Sequence, residues 1–245
     1  MSRLIIFDLD NTFYDYKKSH ENGLKKVFDS QKYFKGYDTF LSQYELTKNE
    51  IHKQLKNNPS KHSKLIYFKK IFQQKATFDE IIKYENLYWD EFINSSKINE
   101  ETMNILRNGK SENDFYALFT NQNTNIQLKK ISKWNIDFFD LVITSEEVGY
   151  EKPNKKFYDY VVKIISENLS SKHIYAIGDD YLNDIKYWQN EFNATSYLID
   201  NSLNDKIIID SIITTINRKV YKLEKEVVKT SFNLAIRDIF KSKVK

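Results

Sequence analysis

Four acidic side chains stand where a folded chain can bring them together. Asp8 and Asp10 follow the apolar run Arg3–Phe7, and Asp179 and Asp184 follow the run His173–Ile177. Two like charges ~4 Å apart repel by about 4 kcal/mol at an effective dielectric near 20, so acids gathered this way need a cation. The chain has no cysteine and places no histidine beside these acids in sequence. Oxygen-only ligands select a hard ion, and Mg²⁺ is the expected one. Asp8 and Asp10 are two apart, so both point the same way from an extended strand end. One carboxylate can then attack while the other handles protons, which is what phosphoryl transfer requires. Past the run Phe115–Phe119, the Thr120 hydroxyl and the Asn121 backbone amide are candidate donors to phosphate oxygens. Lys152 adds positive charge. Preceding Pro153, it is held extended and can reach back to the acids, while Pro153 suits the first turn of the next helix. Asp180 and Asp184 would be an unfavourable like-charge pair on a helix, which a nearby cation would offset.

These groups need a framework that delivers strand ends to one edge. Arg3–Phe7 reads as a buried strand. From Phe115 onward, strands alternate with helices: Phe115–Phe119, Phe138–Ile143, His173–Ile177 and Ser196–Ile199 are the strands, and Asn125–Trp134, Lys155–Glu167 and Tyr181–Gln189 the helices. Such alternation implies right-handed βαβ crossovers and a parallel sheet. Polar groups of such a sheet collect beyond its carboxyl ends. Residues 14–107 differ, with helical periodicity and few strand signals. Phe40, Tyr44, Ile51 and Leu55 share one face, as do Phe78, Ile81, Ile82, Tyr88, Trp89 and Phe92. Thr77 and Glu80 make a capping box, and Asn57–Ser60 a break. Together these predict an all-helical insert. Residues Lys219–Lys245 predict an amphipathic tail helix with Val220, Leu223, Val227 and Leu234 near one face. It would pack on the chain's own core or serve a partner or dimer.

Composition removes several function classes. At 40% hydrophobic and 29% charged residues, the 245-residue chain is not a disordered one. No apolar run approaches the ~20 residues of a membrane-spanning helix. The early acids Asp8 and Asp10 fit no secretory leader. Lacking cysteine, the chain has no disulfides, zinc–thiolate sites or thiol nucleophiles, and a reducing cytoplasm is its expected address. Net charge is +4, and 34 of the 38 basic residues are lysine. Base-reading proteins favour arginine's planar fork, so a nucleic-acid partner is not expected. Mild lysine excess suits attraction of an anionic small molecule. The four histidines, His20, His52, His62 and His173, follow no ligand spacing and are expected on the surface or in the core.

Asp8-Leu9-Asp10-Asn11-Thr12, Thr120-Asn121, Lys152-Pro153 and Gly178-Asp179-Asp180-Tyr181-Leu182-Asn183-Asp184 resemble, in order, the four motifs of the haloacid dehalogenase-like (HAD) hydrolase superfamily. The resemblance covers roughly residues 1–215. It implies an α/β fold, a Rossmann-like parallel sheet core (1–13 and 108–218) with an inserted all-helical C1-type cap (14–107), leaving 219–245 as the tail. It implies Asp8 as the nucleophile forming an aspartyl-phosphate, and Asp10 as general acid, then base. Thr120 and Lys152 would bind phosphate. Asp8, Asp179 and the Asp10 carbonyl would hold Mg²⁺, with Asp184 a direct or outer ligand. The dehalogenases themselves lack the second carboxylate, so Asp10 favours phosphate-ester hydrolysis. Residues 144–156 further resemble the branch containing pyrimidine 5′-nucleotidases. One departure is Gln122, where many relatives have glycine; its side chain would narrow the phosphate pocket or contact substrate. The expected partner is a small phosphorylated metabolite, with a nucleoside 5′-monophosphate as the leading specific candidate; homo-oligomers stay open. The competing readings are a phosphotransferase or phosphomutase on the same scaffold, and a non-catalytic binding protein using cap or tail.

Overall fold

The computed structural model describes residues 2–209, 213–216, 219–222 and 225–241. Its strands are β1 (Arg3–Phe7), β2 (Phe115–Thr120), β3 (Leu141–Thr144), β4 (His173–Gly178), β5 (Thr195–Ile199), β6 (Ile207–Ile209), β7 (Ile213–Ile216), β8 (Lys219–Lys222) and β9 (Val227–Thr230). All five residues of β1 are buried. A strand apolar on both faces belongs inside a parallel sheet, and β1 pairs in parallel with β2 on one side and β4 on the other. The full order is β3-β2-β1-β4-β5-β9-β6, parallel except for the β6–β9 pair. Strands β7 and β8 form a separate antiparallel pair. The register sets Phe7 beside both Leu118 and Ile177. The residues after these strands therefore emerge together at one carboxyl edge.

Between β1 and β2 the chain forms α1 (Tyr16–Ser30), α2 (Tyr37–Leu55), α3 (Lys64–Phe72), α4 (Phe78–Ser95) and α5 (Glu100–Gly109). Asp15 caps α1 by accepting from the Lys18 amide. Thr77 and Glu80 form the expected capping box on α4, and the break at Asn57–Ser60 leads into a 3-10 turn at Pro59–His62. Helices α1 and α3 pack along α4, whereas α5 packs on α10 (Phe232–Ile239). One buried cluster runs from Phe7, Tyr116 and Tyr197 on the sheet, through Phe13 and Tyr14, into Phe40, Phe68, Tyr88 and Phe92 of the helices. The other sheet face is covered by α8 (Lys155–Ser171) and α9 (Lys186–Phe192), with Phe157, Val161 and Trp188 against Leu4, Ile6 and Leu198. The remaining helices are α6 (Thr124–Lys133) and the short α7 (Ser145–Val148).

Four local expectations change. Phe78 and Ile82 are exposed, because the buried stripe of α4 runs through Ile81, Tyr84, Tyr88, Trp89 and Phe92. Strand β3 starts only at Leu141, since the Asp140 carboxylate accepts from the Tyr116 amide and bends the chain there. Pro153 precedes the helix cap, Asn154, instead of lying in the first turn. The tail is no single helix: Val227–Thr230 pairs in parallel with β5, and among its described residues only Phe232–Ile239 is helical. An open sheet edge and a β-branched Val227–Val228 pair outweigh the apolar spacing there. Of that expected face, Val227 is fully buried, and Leu223 lies outside the described residues.

An ion pair ties the start of β1 to its neighbours. Arg3 donates through its backbone N and Nε to Asp114 Oδ1, and through Nη2 to Asp114 Oδ2 and the Gly109 carbonyl. Its guanidinium also lies 4.1 Å from the Phe240 ring centroid. Burial alone would raise the Asp114 carboxyl, but hydrogen bonds from Arg3 and Ser111 outweigh it and hold the group at about 2. A depressed carboxylate stabilises the fold above its unfolded value near 3.8, and that contribution is lost as pH falls towards 2. Asp114→Ala would strand a buried guanidinium and is expected to cost about 3–5 kcal/mol in urea unfolding at pH 7. The gap from wild type should close on acidification from pH 4 to pH 2.

Candidate active site

Strand ends deliver most of the sequence-predicted side chains. Asp8 follows β1, and its amide donates to the Ile177 carbonyl of β4 at 2.9 Å. Asn11 then takes a left-handed turn at φ 68°, which asparagine tolerates well, and closes the loop by donating from Nδ2 to Asp179 Oδ2 at 2.8 Å. Thr120 ends β2, and Asp179 and Asp180 follow β4. Asp180 caps the next segment by accepting from the Leu182 and Asn183 amides. That segment, Tyr181–Ile185, is a π-type turn and not the start of a regular helix. It carries Asp184 back over Gly178, where any Cβ would overlap the Asp184 side chain. Glycine is required there by that close approach.

Asp8, Asp10, Thr120, Asn121, Lys152, Asp179 and Asp184 all line one cleft of about 140 Å³, together with Asp180 and Asn183. Lys152 sits at its floor, 5% exposed. Its Nζ donates to Asp8 Oδ1 at 2.9 Å, Asp184 Oδ1 at 2.7 Å and the Phe119 carbonyl at 2.6 Å. Burial would lower this ammonium, but Asp184 and Asp8 prevail and hold it above its ordinary value. The Asn121 side chain fixes the lysine's backbone, accepting from the Lys152 amide at 2.8 Å and donating to its carbonyl at 2.9 Å. The neighbouring Glu151 pairs with Lys61 and, at 2.7 Å, with His62, both from the 3-10 turn ahead of α3.

One lysine does not balance the acids. Burial first, then Asp184 and Asp179, push Asp8 well above the usual carboxylate range against the pull of Lys152. Burial and Asp184 push Asp179 up to about 7. Asp8, Asp179 and Asp184 each offer an oxygen, and the three lie within 4.8 Å of one another. This all-oxygen, charge-rich set fits a hard divalent cation.

The haloacid dehalogenase-like hydrolase family model matches residues 2–187. This chain belongs to that family. Among similar proteins, the ribulose-1,5-bisphosphate 5-phosphatase of Halopiger xanaduensis is 25% identical over 193 residues, covering 76% of this chain and 80% of that protein. The pyrimidine 5′-nucleotidase YjjG of Escherichia coli is 34% identical over 83 residues, about a third of either chain (34% and 36%). The HAD-hydrolase YfnB of Bacillus subtilis, solved bound to magnesium, has the same fold with a TM-score of 0.59 at 18% identity, covering 83% of this chain and 91% of that one.

In this HAD-like hydrolase, Lys130 and Gln127 at the site escaped the reading of the sequence, and Tyr14 joins them. Lys130 donates to Asp10 Oδ1 at 2.5 Å, and Tyr14 donates to the same oxygen. Gln127 donates to Asp10 Oδ2 at 3.2 Å and to Thr120 Oγ1 at 2.7 Å. Burial would raise Asp10, but the Lys130 charge and these hydrogen bonds lower it below the usual range. Gln127 and Lys130 are three apart on α6, which follows Thr120-Asn121 directly, so their shared face was the available signal. Gln122 is buried and accepts from the Asn123 amide, and it does not line the cleft. No histidine lines the cleft either; His20 and His52 bond the Tyr88 and Tyr67 hydroxyls.

Gly178→Ala tests the packing that places Asp184. The added methyl group is expected to displace Asp184 from Lys152 and to cost about 1–3 kcal/mol in chemical denaturation. A variant structure with Asp184 unmoved would contradict this account.

Proposed function

We propose that this chain is a magnesium-dependent phosphomonoester hydrolase acting on small phosphorylated metabolites, with Asp8 as nucleophile. The observation that carries the reading is the meeting of Asp8, Lys152, Asp179 and Asp184 in one small cleft, with Asp10 beside them. Asp8, Asp179 and Asp184 would hold the ion, with the Asp10 backbone carbonyl as a further oxygen. Bound there, magnesium would offset the acids' repulsion and neutralise charge on the phosphate.

The chain's own residues supply the rest. Lys152, the Thr120 hydroxyl and the Asn121 amide orient the phosphate oxygens. An Asp8 oxygen attacks phosphorus, the ester P–O bond breaks, and Asp10 gives a proton to the departing alcohol oxygen. Water then attacks the aspartyl-phosphate, Asp10 takes its proton, and inorganic phosphate leaves with the Asp8 carboxylate restored. Lys130 and Tyr14 favour the ionised Asp10 that the second half needs. The substrate's negative charge favours the protonated form that the first half needs.

The relatives named for a sugar bisphosphate and for pyrimidine nucleotides support a small metabolite, and among specific candidates a nucleoside 5′-monophosphate or a sugar phosphate. No helix among the described residues is long and apolar enough to cross a membrane. The absence of cysteine supports a cytoplasmic setting.

The reading is tested with p-nitrophenyl phosphate and a metabolite panel, following phosphate release. Chelation should abolish turnover and Mg²⁺ restore it. Asp8→Asn should lower kcat by at least a thousandfold, and unchanged turnover would refute the nucleophile. Phosphate appearing on an added alcohol instead of in solution would assign a transferase.

A further inference from the structure

Four cations are buried among the described residues: Arg3, Lys64, Lys130 and Lys152. Three of them face carboxylates, Arg3 with Asp114, Lys130 with Asp10, and Lys152 with Asp8 and Asp184. Lys64 is the exception. It is the first residue of α3 and 5% exposed, and no carboxylate or hydroxyl among the described residues meets its ammonium within hydrogen-bonding distance. Its Nζ lies instead 4.9 Å from the Tyr67 ring centroid, 5.7 Å from that of Tyr88 and 5.9 Å from that of Trp89.

These contacts do not offset what burial costs. A cation–π contact contributes about 0.5–2 kcal/mol, while withdrawing an ammonium from water costs several kcal/mol. The start of a helix is also its positive end, the wrong place for a cation. Burial accordingly lowers the Lys64 ammonium to about 7, with Lys48 and Lys130 acting in the same direction against Asp10 and Glu45. The charged form is disfavoured there, and an anion from outside the chain would favour it.

The surroundings connect this cation to the cleft. Lys130 Nζ, bonded to Asp10, lies 5.6 Å from the same Trp89 centroid, so both ammoniums lie within 6 Å of one indole. Phe92 and Tyr14 flank Lys130 at 5.1 and 5.6 Å. The Tyr44 ring meets Tyr67 edge-on at 5.6 Å, and its buried hydroxyl has no hydrogen-bond partner. An unmatched cation and an unmatched hydroxyl thus share one aromatic cluster.

We propose that Lys64 receives a second anionic group of the substrate, a carboxylate or a second phosphate, carried on the same small molecule whose ester phosphate lies at Asp8. This rests on the phosphatase reading and narrows it. Phosphorylated acids and bisphosphates rank above nucleoside 5′-monophosphates, whose far end is uncharged. The Tyr44 hydroxyl supplies a further donor at that end.

Matched pairs test the assignment: glycerol 3-phosphate against 3-phosphoglycerate, and ribose 5-phosphate against ribose 1,5-bisphosphate. The readout is the ratio of kcat/KM for the anion-bearing member to that for its partner. Wild type should favour the anion-bearing member in at least one pair, and which pair shows the preference separates carboxylate from phosphate. Lys64→Met should lower that ratio about tenfold to a hundredfold, mainly through KM, and Lys64→Arg should retain most of it. A merely structural lysine would lower both members in parallel and leave the ratio unmoved, which overturns the proposal, as does a wild-type ratio near one in both pairs. Removing an unmatched buried charge should leave the melting temperature equal or higher, so a Lys64→Met chain that fails to fold also overturns it. If no panel member is hydrolysed, the phosphatase reading fails. Calorimetric Kd values for the same pairs with the same three proteins then decide the Lys64 assignment alone.

Discussion

The structure depends on one ammonium shared by two buried carboxylates. Lys152 bridges Asp8 and Asp184, which follow β1 and β4, strands far apart in the sequence. Without that bridge, the carboxyl edge of the sheet would hold several acids at separations where each pair repels by kilocalories. Much of the nearby chain serves to keep it in place. Asn121 holds the lysine's backbone, Phe119 accepts its third proton, and Gly178 leaves room for Asp184. The arrangement is compensated in part only, which is why Asp8 and Asp179 stay hard to ionise and why an added cation fits.

Legibility followed sequence proximity. Strand ends that carry their chemistry within a few residues, such as Phe7-Asp8-Leu9-Asp10 and Ile177-Gly178-Asp179, could be read directly, and the alternation of strands with helices placed them on one edge. What escaped lay on neighbouring elements. Lys130 and Gln127 meet Asp10, beside Tyr14, only because α6 and the start of the helical insert converge there. Alone, each looks like an ordinary helix or loop residue. The tail departs from its apolar spacing for a related reason. Its apolar spacing suited a helix, but the unpaired edge of β5, invisible in local sequence, recruited Val227–Thr230 as a strand.

The helical insert is joined to the sheet by packing and by charge. Phe13 and Tyr14 continue the sheet's apolar face into α4, where Tyr14 meets Phe92 edge-on at 5.8 Å. Tyr14 also donates to Asp10, so the same side chain is both packing and polar contact. At the other end, Lys61 and His62 reach Glu151, one residue from Lys152. Any shift of the helices relative to the sheet is therefore felt at Asp10 and at the lysine's loop.

The position of β9 bears on how the molecule is made. Val227–Thr230 lies between β5 and β6, although β6 precedes it in the chain. A nascent polypeptide emerging from the ribosome can assemble the five parallel strands through β5 and still leave a row of unsatisfied backbone groups on the outer side of β5. That side is sealed only after residue 230 has cleared the exit tunnel. Until then the growing protein carries an adhesive margin open to neighbouring chains, and that interval is when chaperone protection matters most.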